Sequence, residues 1–450
     1  MQTISIFFYF CAINNDPMFR SAIKKAVAPF LSPIPKKPRP GLIVNISFLL
    51  LSFGMVVFIA HSEYVVDYPD HEPVEPEPAP TSVFTEEDLI FYHDTITKLL
   101  QSRNFNGNIL LAREGEVLFS RSFGFADFRN DTPLTPETPF QLASISKTFT
   151  AAATLMLHDR GLIHIDNPVA EYIPKFPYPD ITVRHLLNHT SGLHNYMYLL
   201  ERYWEEEHPP TNEDVLDLFV NYPRHLNFRP ATRFGYSNTG YAFLGLLIER
   251  VSGMPFDRFM AQELFEPLGL ENTYVYNPRG GTDMRSDRAF GFRRWRRTYL
   301  VIPDVVHDGI MGDKGIYSNI YDLYTWDRAI NNGELIPDSL WDAAFEHTRL
   351  TNNRTVRYGM GWRLQSFMDT HVVHHPGRWN GFNTSLKRFV EHDATLIILN
   401  NNSSNITHLV EALQNILFHE EIAAKTQPPQ KEDPEEYEVI GGGGRDTDGS

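Results

Sequence analysis

Three short stretches of the 450-residue chain hold side chains that could do chemistry together. The first is Ser144-Ile145-Ser146-Lys147. A serine three residues before a lysine at a helix start puts both side chains on one face. The positive end of the helix favours developing negative charge. A serine hydroxyl is a weak nucleophile until a base within hydrogen-bond reach takes its proton. Lysine serves as that base when burial or a neighbouring cation lowers its pKa from about 10.4. The plainer reading makes Ser144 a helix cap and Lys147 a solvated cation. The second stretch is Tyr236-Ser237-Asn238. A phenol relays protons, a phenolate beside a lysine is a competent base, and an amide orients lysine and substrate. The plainer reading is a turn before a core helix over Tyr241–Val251. The third stretch is His374-His375-Pro376-Gly377, followed by Gly381-Phe382. Glycine there lets a backbone N–H approach a substrate closely. The alternatives are a bare strand end, or a metal site from His371, His374 and His375, for which no fourth ligand stands at a recognisable spacing. His185 and His189 are spaced like a metal pair but lack the intervening glutamate of a zinc hydrolase helix.

These residues need elements to hold them. Glu86–Arg103 has the apolar period of an amphipathic helix. Asn108–Arg113 and Val117–Phe123 alternate as strands of a hairpin around Glu114-Gly115. A long helix is expected from about Ser144 to Arg160, closed by Gly161. Residues 165–350 read as helices and loops. Strand patterns return at Tyr358–Gln365, His371–His375, Phe382–Phe389 and Thr395–Asn400, and Ile406–Phe418 reads as a helix. Strands at both ends with helices between predict an α+β fold, an antiparallel sheet flanked by terminal helices and interrupted by a large helical insertion. His189-Thr190-Ser191-Gly192 reads as a turn after a helix, Asp322 as a helix-start acid, and Trp326, Trp362 and Trp379 as packing. Trp379 and Arg378, beside the third motif, are also within reach of a substrate.

The order S-x-x-K, Y-S-N, H-x-G is far more specific than any of its parts, and S-x-x-K with S-D-N and K-T-G is a related set. On these motifs the sequence resembles the serine hydrolases related to class C β-lactamases, penicillin-binding proteins and D-alanyl-D-alanine carboxypeptidases. That group also includes esterases and D-amino-acid amidases. The similarity covers roughly residues 90–400 and includes Leu162–Pro174, Ile181–Leu193, Pro267-Leu268-Gly269-Leu270, Gly315-Ile316-Tyr317-Ser318 and Asp322-Leu323. It implies a β-lactamase/transpeptidase-like fold. It also implies roles: Ser144 as nucleophile, Lys147 as its activator, Tyr236 as proton shuttle, and Asn238 holding Lys147 and the substrate. His375 takes the third-motif position, beside Gly377. The backbone N–H groups of Ser144 and Arg378 form the implied oxyanion hole. The implied cycle is an acyl-enzyme on Ser144 hydrolysed by water, with no metal or organic cofactor.

The sequence departs from that pattern in places. The lysine of K-T-G is His375, which is mostly neutral at pH 7. That disfavours an efficient β-lactamase and leaves esters, amides and D-amino-acid peptides. Ala231 replaces the glycine that follows Pro230 in the family. Lys314 would add a positive charge if it faced the cleft. Arg293, Arg294, Arg296 and Arg297 form a basic run that reads as a solvated loop.

Around this domain, assigned to residues 85–425, composition marks further segments. Acidic residues number 56 against 40 basic, a net charge of −16, which argues against nucleic acid as a partner. One cysteine, Cys11, permits no internal disulfide and no Cys-rich metal centre. Leu42–Ala60 is uncharged and apolar, with Arg20, Lys24, Lys25, Lys36, Lys37 and Arg39 before it and only acids after it up to residue 90. As a helix it would rise roughly 28 Å, close to the thickness of a bilayer core. The basic flank predicts a cytoplasmic segment 1–41, a transmembrane signal anchor 42–60 and an exported domain. Cleavage is disfavoured by the length of the run and by its ending, Phe58-Ile59-Ala60. Met18 begins a more conventional leader than Met1. Glu-Pro repeats make 61–84 an extended acidic linker, and 426–450 reads as a disordered acidic and Gly-rich tail. The expected protein is a membrane-anchored, exported serine hydrolase of an amide or ester carbonyl, with a small-molecule or peptide substrate, peptidoglycan-derived if the host has a wall. An esterase with the same residues, and a catalytically silent cell-wall or ligand-binding receptor, are the competing readings.

Overall fold

A computed structural model describes residues 82–279, 287–296 and 298–426. All belong to the compact unit that begins at Ser82. Helix α1 (Glu86–Ser102) opens with a capping box. The Thr85 hydroxyl accepts the Asp88 N–H at 3.2 Å, and the Asp88 carboxylate accepts the Thr85 N–H at 2.8 Å. Tyr92, Ile96 and Leu100 share one face of α1 and are buried. The strands β1 (Gly107–Arg113) and β2 (Glu116–Phe123) form the expected hairpin, and Glu114 and Gly115 both take positive φ, 53° and 79°. That pair of angles suits a two-residue turn whose twist matches the strands.

The chain then leaves the sheet for the helical insertion. Ala143–Ile145 is a 3₁₀ turn that runs into α2 (Ser146–Asp159). Helix α3 (Asn238–Ser252) is capped by Ser237, whose hydroxyl accepts the Gly240 N–H at 3.3 Å, and ends on Gly253 at φ 71°. A separate hairpin, β3 (Phe292–Trp295) and β4 (Thr298–Val301), follows. The chain returns through β5 (Arg363–Phe367), β6 (Thr370–Trp379), β7 (Phe382–Phe389) and β8 (Ala394–Asn400), and α4 (Thr407–Leu417) comes after them. The main sheet is antiparallel with order β5-β6-β7-β8-β1-β2. Its closing pair joins distant chain segments, Gly107 opposite Asn400 through Arg113 opposite Ala394.

Both faces of this sheet are buried, and the pleat sorts residues between them. Leu110, Ile397, Leu399 and Leu386 pack with the insertion, against Phe149 and Trp326. Their strand neighbours Ile109, Leu111, Leu396 and Ile398 pack under the terminal helices, against Ile96, Leu413 and Leu417. The expected α+β architecture is the observed one.

Several boundaries differ from the sequence reading. The helix predicted from Ser144 begins as a 3₁₀ turn. The strand predicted over Tyr358–Gln365 starts only at Arg363. Gly361, at φ 90°, breaks the extended run, and a Cβ there would lie 2.5 Å from the Ala151 methyl. Strand β6 runs four residues past the predicted end at His375, through Trp379. The spacer reading of 61–84 is too long, since Ser82 and Val83 are bonded to the Glu116 carboxylate at 2.5 and 2.7 Å. Thr426, read as tail, closes a last helix, His419–Thr426. Among the described residues no helix is long and apolar enough to cross a membrane. The expected anchor 42–60, the segment 1–41, the linker to residue 81 and the tail from 427 lie outside the described residues.

Candidate active site

The nucleophile candidate stands on strained backbone. Ala143 takes φ 51°, a left-handed conformation that costs an L-residue about 1–2 kcal/mol. The chain then enters α2 with Ser144 in the turn and Lys147 in the first helical turn. Lys147 is fully buried. Its Nζ lies 3.3 Å from Ser144 Oγ and donates to the Asp313 carbonyl at 2.6 Å. It also lies 5.2 Å from the centroid of the Tyr236 ring and 5.5 Å from that of Tyr241. No ion pair holds Lys147 among the described residues. The plainer reading of a solvated lysine is therefore overturned.

Strand β6 runs beside this turn. Gly377 is there for contact: a Cβ would lie 2.1 Å from the Leu142 carbonyl oxygen and 2.2 Å from Thr384 Oγ1. The Thr384 hydroxyl donates to that same carbonyl at 2.8 Å. The backbones of Ser144 and Arg378 thus flank one tight junction between the turn and the strand. Strand β5 begins at Arg363 opposite His374, whereas β7 pairs with β6 as far as Trp379. Residues 376–379 of β6 therefore have a strand partner on one side only. Beside them opens a cleft of about 720 Å³ lined by Ser144, Tyr236, Arg363, His375, Gly377 and Arg378, among others. Tyr236 is 36% exposed, and its hydroxyl has no hydrogen-bond partner among the described residues.

Behind the cleft a chain of hydrogen bonds joins the second motif to the third. The Ser237 N–H donates to His189 Nδ1 at 3.2 Å. His189 Nε2 lies 3.0 Å from the Tyr358 hydroxyl, which lies 3.3 Å from His375 Nε2. His375 Nδ1 lies 2.7 Å from the Pro376 carbonyl. These partners assign the protons, because a carbonyl only accepts and an amide N–H only donates. His375 carries its hydrogen on Nδ1 and accepts from Tyr358, and His189 donates from Nε2 to the Tyr358 oxygen. Burial, reinforced by Lys147, holds both imidazoles well below their ordinary pKa. Burial also pushes the Tyr358 phenol well above its own. The three groups are neutral, as that chain of bonds requires.

Five of the seven predicted site residues, Ser144, Tyr236, His375, Gly377 and Arg378, line the cleft, and Lys147 reaches it through Ser144. Asn238 behaves differently from expectation. It forms no hydrogen bond to Lys147; the Asp313 carbonyl takes that place. Its Oδ1 is buried without a partner, and the residue borders a neighbouring pocket of about 380 Å³ that also touches Tyr236. Lys314 does not face the cleft. It is buried, with Nζ 3.0 Å from the Tyr196 hydroxyl and 3.5 Å from Asp313 Oδ1. Trp379 donates to the buried Asp308 carboxylate at 2.6 Å, so it ties the end of β6 to the Val306–Gly309 turn rather than lining the cleft. His375, 1% exposed, offers no cation for a substrate. Asp322 does lie in the first turn of a helix, Ile320–Asn331, and it also accepts from the Asn272 N–H and the Thr273 hydroxyl, each at 2.8 Å.

Four residues escaped the sequence reading. Asp313 acts through its backbone oxygen, which no side-chain pattern reveals. Tyr358 looked like a strand residue. His189 does sit in a turn, at φ 58°, but its ring also props the loop of Tyr236. Arg363 looked like one more strand position. Its guanidinium lies 5.3 Å from the Tyr236 ring centroid, its Nε is buried without a partner, and it forms no ion pair among the described residues.

A serine–lysine pair at the head of a buried helix, beside the free edge of an antiparallel sheet split by a helical insertion, is a specific arrangement. The β-lactamase family profile matches residues 93–420. This chain belongs to the β-lactamase family. Its 35% identity over 345 residues to penicillin-binding protein 4* of Bacillus subtilis (strain 168) covers 74% of this chain and 76% of that protein. The crystal structure of a penicillin-binding protein from Bacillus halodurans superposes with a TM-score of 0.62 at 23% identity, covering 71% of this chain and 98% of that one. The D-amino acid amidase from Ochrobactrum anthropi SV3, solved with L-phenylalanine amide, gives 0.61 at 23% identity, covering 75% and 100%. Fold and sequence together make this β-lactamase-family domain a serine hydrolase of the acyl-transfer type.

Proposed function

We propose that the domain hydrolyses an amide or ester carbonyl through an acyl-enzyme on Ser144, and that its preferred substrates carry a carboxylate close to that carbonyl. The observation that carries the first half is the buried Lys147 Nζ, 3.3 Å from Ser144 Oγ. Lys147, acting as base, takes the Ser144 proton as Oγ bonds to the carbonyl carbon. The carbonyl electron pair moves onto oxygen, facing the N–H groups of Ser144 and Arg378, where one such donor is worth about 10²–10³ in rate. The proton passes from Lys147 through Tyr236 to the leaving amine or alcohol as its bond to carbon breaks. Water then attacks the ester on Ser144 by the reverse relay. The unpartnered Tyr236 hydroxyl at the cleft suits that transfer. Arg363 and Arg378, cations in the cleft wall, support a carboxylate-bearing substrate where His375 has replaced a lysine.

A peptide ending in a D-amino acid fits this chemistry, and the relative named for penicillin binding favours it over a simple ester. The neutral His375 is what favours the esterase reading. Anchoring by residues 42–60 and export of the domain remain part of the proposal, resting on the apolar run and its basic flank. Intact-protein mass spectrometry tests the catalytic claim. Wild type and Ser144→Ala would each be incubated with a fluorophosphonate, a penicillin and a p-nitrophenyl ester. An adduct that depends on Ser144 is expected. Absence of any adduct would favour the silent receptor, and labelling by the ester alone would favour the esterase.

A further inference from the structure

The β3–β4 hairpin takes no part in the cleft, and its two faces differ. Arg293 pairs with Leu300, Arg294 with Tyr299 and Trp295 with Thr298. Paired residues share a face and faces alternate along a strand. Phe292, Arg294 and Tyr299 therefore share one side; Arg293, Trp295, Thr298 and Leu300 share the other. The first side docks on the body of the domain, where Tyr299 stacks on Phe128 with centroids 4.0 Å apart and Phe292 meets the same ring edge-on at 5.0 Å. The second side faces solvent, with Trp295 56% exposed and Leu300 38% exposed. Arg293, Arg294 and Arg296 are exposed around them. None of these three arginines forms an ion pair among the described residues, although Arg294 Nε donates to the Arg296 carbonyl at 3.3 Å. Arg297, the fourth of the run, lies outside the described residues.

Unpaired cations concentrated on one projection of a chain with net charge −16 suit an anionic partner. An exposed indole and a leucine on the same face suit a partner with an apolar layer beneath its charge. A lipid surface offers both: tryptophan settles at the headgroup level, and each arginine near an anionic leaflet gains about 1 kcal/mol of attraction. We propose that the β3–β4 hairpin docks the domain on an anionic bilayer, with Trp295 and Leu300 at the acyl boundary and Arg293 and Arg296 on lipid phosphates. This contact is independent of the predicted anchor and of the cleft chemistry.

The test uses residues 82–450, which lack the apolar N-terminal run. The Bacillus halodurans protein, matched over 98% of its length, is a chain of this domain alone that folds. Co-sedimentation would compare vesicles of phosphatidylcholine with vesicles of phosphatidylcholine and phosphatidylglycerol. Partitioning onto the anionic vesicles should be roughly tenfold stronger or more and should weaken with salt. Brominated lipid should quench wild-type fluorescence more than that of Trp295→Ala. The double variant Arg293→Glu, Arg296→Glu should lose at least about tenfold in partitioning with its circular dichroism and Ser144 labelling unchanged. Equal binding to both vesicles, or undiminished binding by a folded double variant, would overturn the proposal. So would capture by soluble heparin with none by vesicles.

Discussion

Replacing Gly377 by alanine probes the junction between the Ser144 turn and strand β6. The new methyl would sit 2.1 Å from the Leu142 oxygen, where a carbon–oxygen contact needs at least about 3 Å, so something must move by about 1 Å. A side-chain rotation cannot relieve it, because the obstacle is backbone. That carbonyl is held by the Thr384 hydroxyl at 2.8 Å, and the Leu142 N–H is tied to the Ile316 carbonyl at 2.8 Å. Either β6 retreats or the 142–144 turn is pushed out, and both routes separate the N–H groups of Ser144 and Arg378. A misplacement of about 1 Å costs on the order of 10²-fold, and loss of one oxyanion donor about 10²–10³-fold. The acylation rate of Gly377→Ala should therefore fall by about 10²–10³, or roughly 3–4 kcal/mol of barrier. Stopped-flow release of p-nitrophenol gives the acylation rate, and urea unfolding checks the fold. A folded variant that acylates within threefold or so of wild type would refute the oxyanion geometry.

The buried imidazoles make stability sensitive to acid. His189 and His375 are held well below their ordinary pKa by burial, and His374 is lowered to about 3 by burial and by Lys387 and Arg363. Below about pH 6.5 the unfolded chain binds protons that the folded chain refuses, so stability falls on acidification by up to about 1.4 kcal/mol per pH unit per group. Urea midpoints from pH 7 to 5 should show this slope, reduced in His374→Gln; a flat profile would contradict it. Tyr358→Phe should strand ring nitrogens of His189 and His375, each unsatisfied buried group costing about 1–3 kcal/mol, and unchanged urea stability would dismiss the hydrogen-bond chain. Ala231, at φ 61°, holds a conformation that costs about 1–2 kcal/mol, while glycine costs about 0.5–1 kcal/mol in chain entropy. Ala231→Gly should thus raise stability by about 0.5–1 kcal/mol, and a lowered melting temperature would show that this strain is relieved elsewhere. Arg363→Gln should raise KM for carboxylate-bearing substrates by roughly tenfold and leave neutral esters alone; equal effects on both would remove Arg363 from substrate recognition.

Much of the site was legible because its chemistry is local. Ser144 and Lys147 lie one helical turn apart, and helix geometry brings such a pair together wherever the helix is placed. Gly377 reads in the sequence as a place where a backbone N–H approaches a substrate; its packing against the Leu142 carbonyl was not legible. The apolar runs Ile109–Leu111 and Leu396–Leu399 likewise announced strands, as short stretches buried on both faces do. Element ends were less legible. Tyr358–Gly361 is apolar enough to read as a strand, and only the close approach of Gly361, at φ 90°, to Ala151 shows where the chain bends away.

The sequence by itself determined the pairing of Ser144 with Lys147, the α+β order of elements and the family resemblance, because each is written in residue types at short spacings. The tertiary structure decided what surrounds the pair. It brought the Asp313 oxygen to Lys147, set Tyr358 between His189 and His375, turned Lys314 inward, and left Arg363 as the cation beside Tyr236. Each of these joins segments far apart in the chain. Their contacts depend on which faces the two cores bury, a condition that spacing along the sequence does not encode.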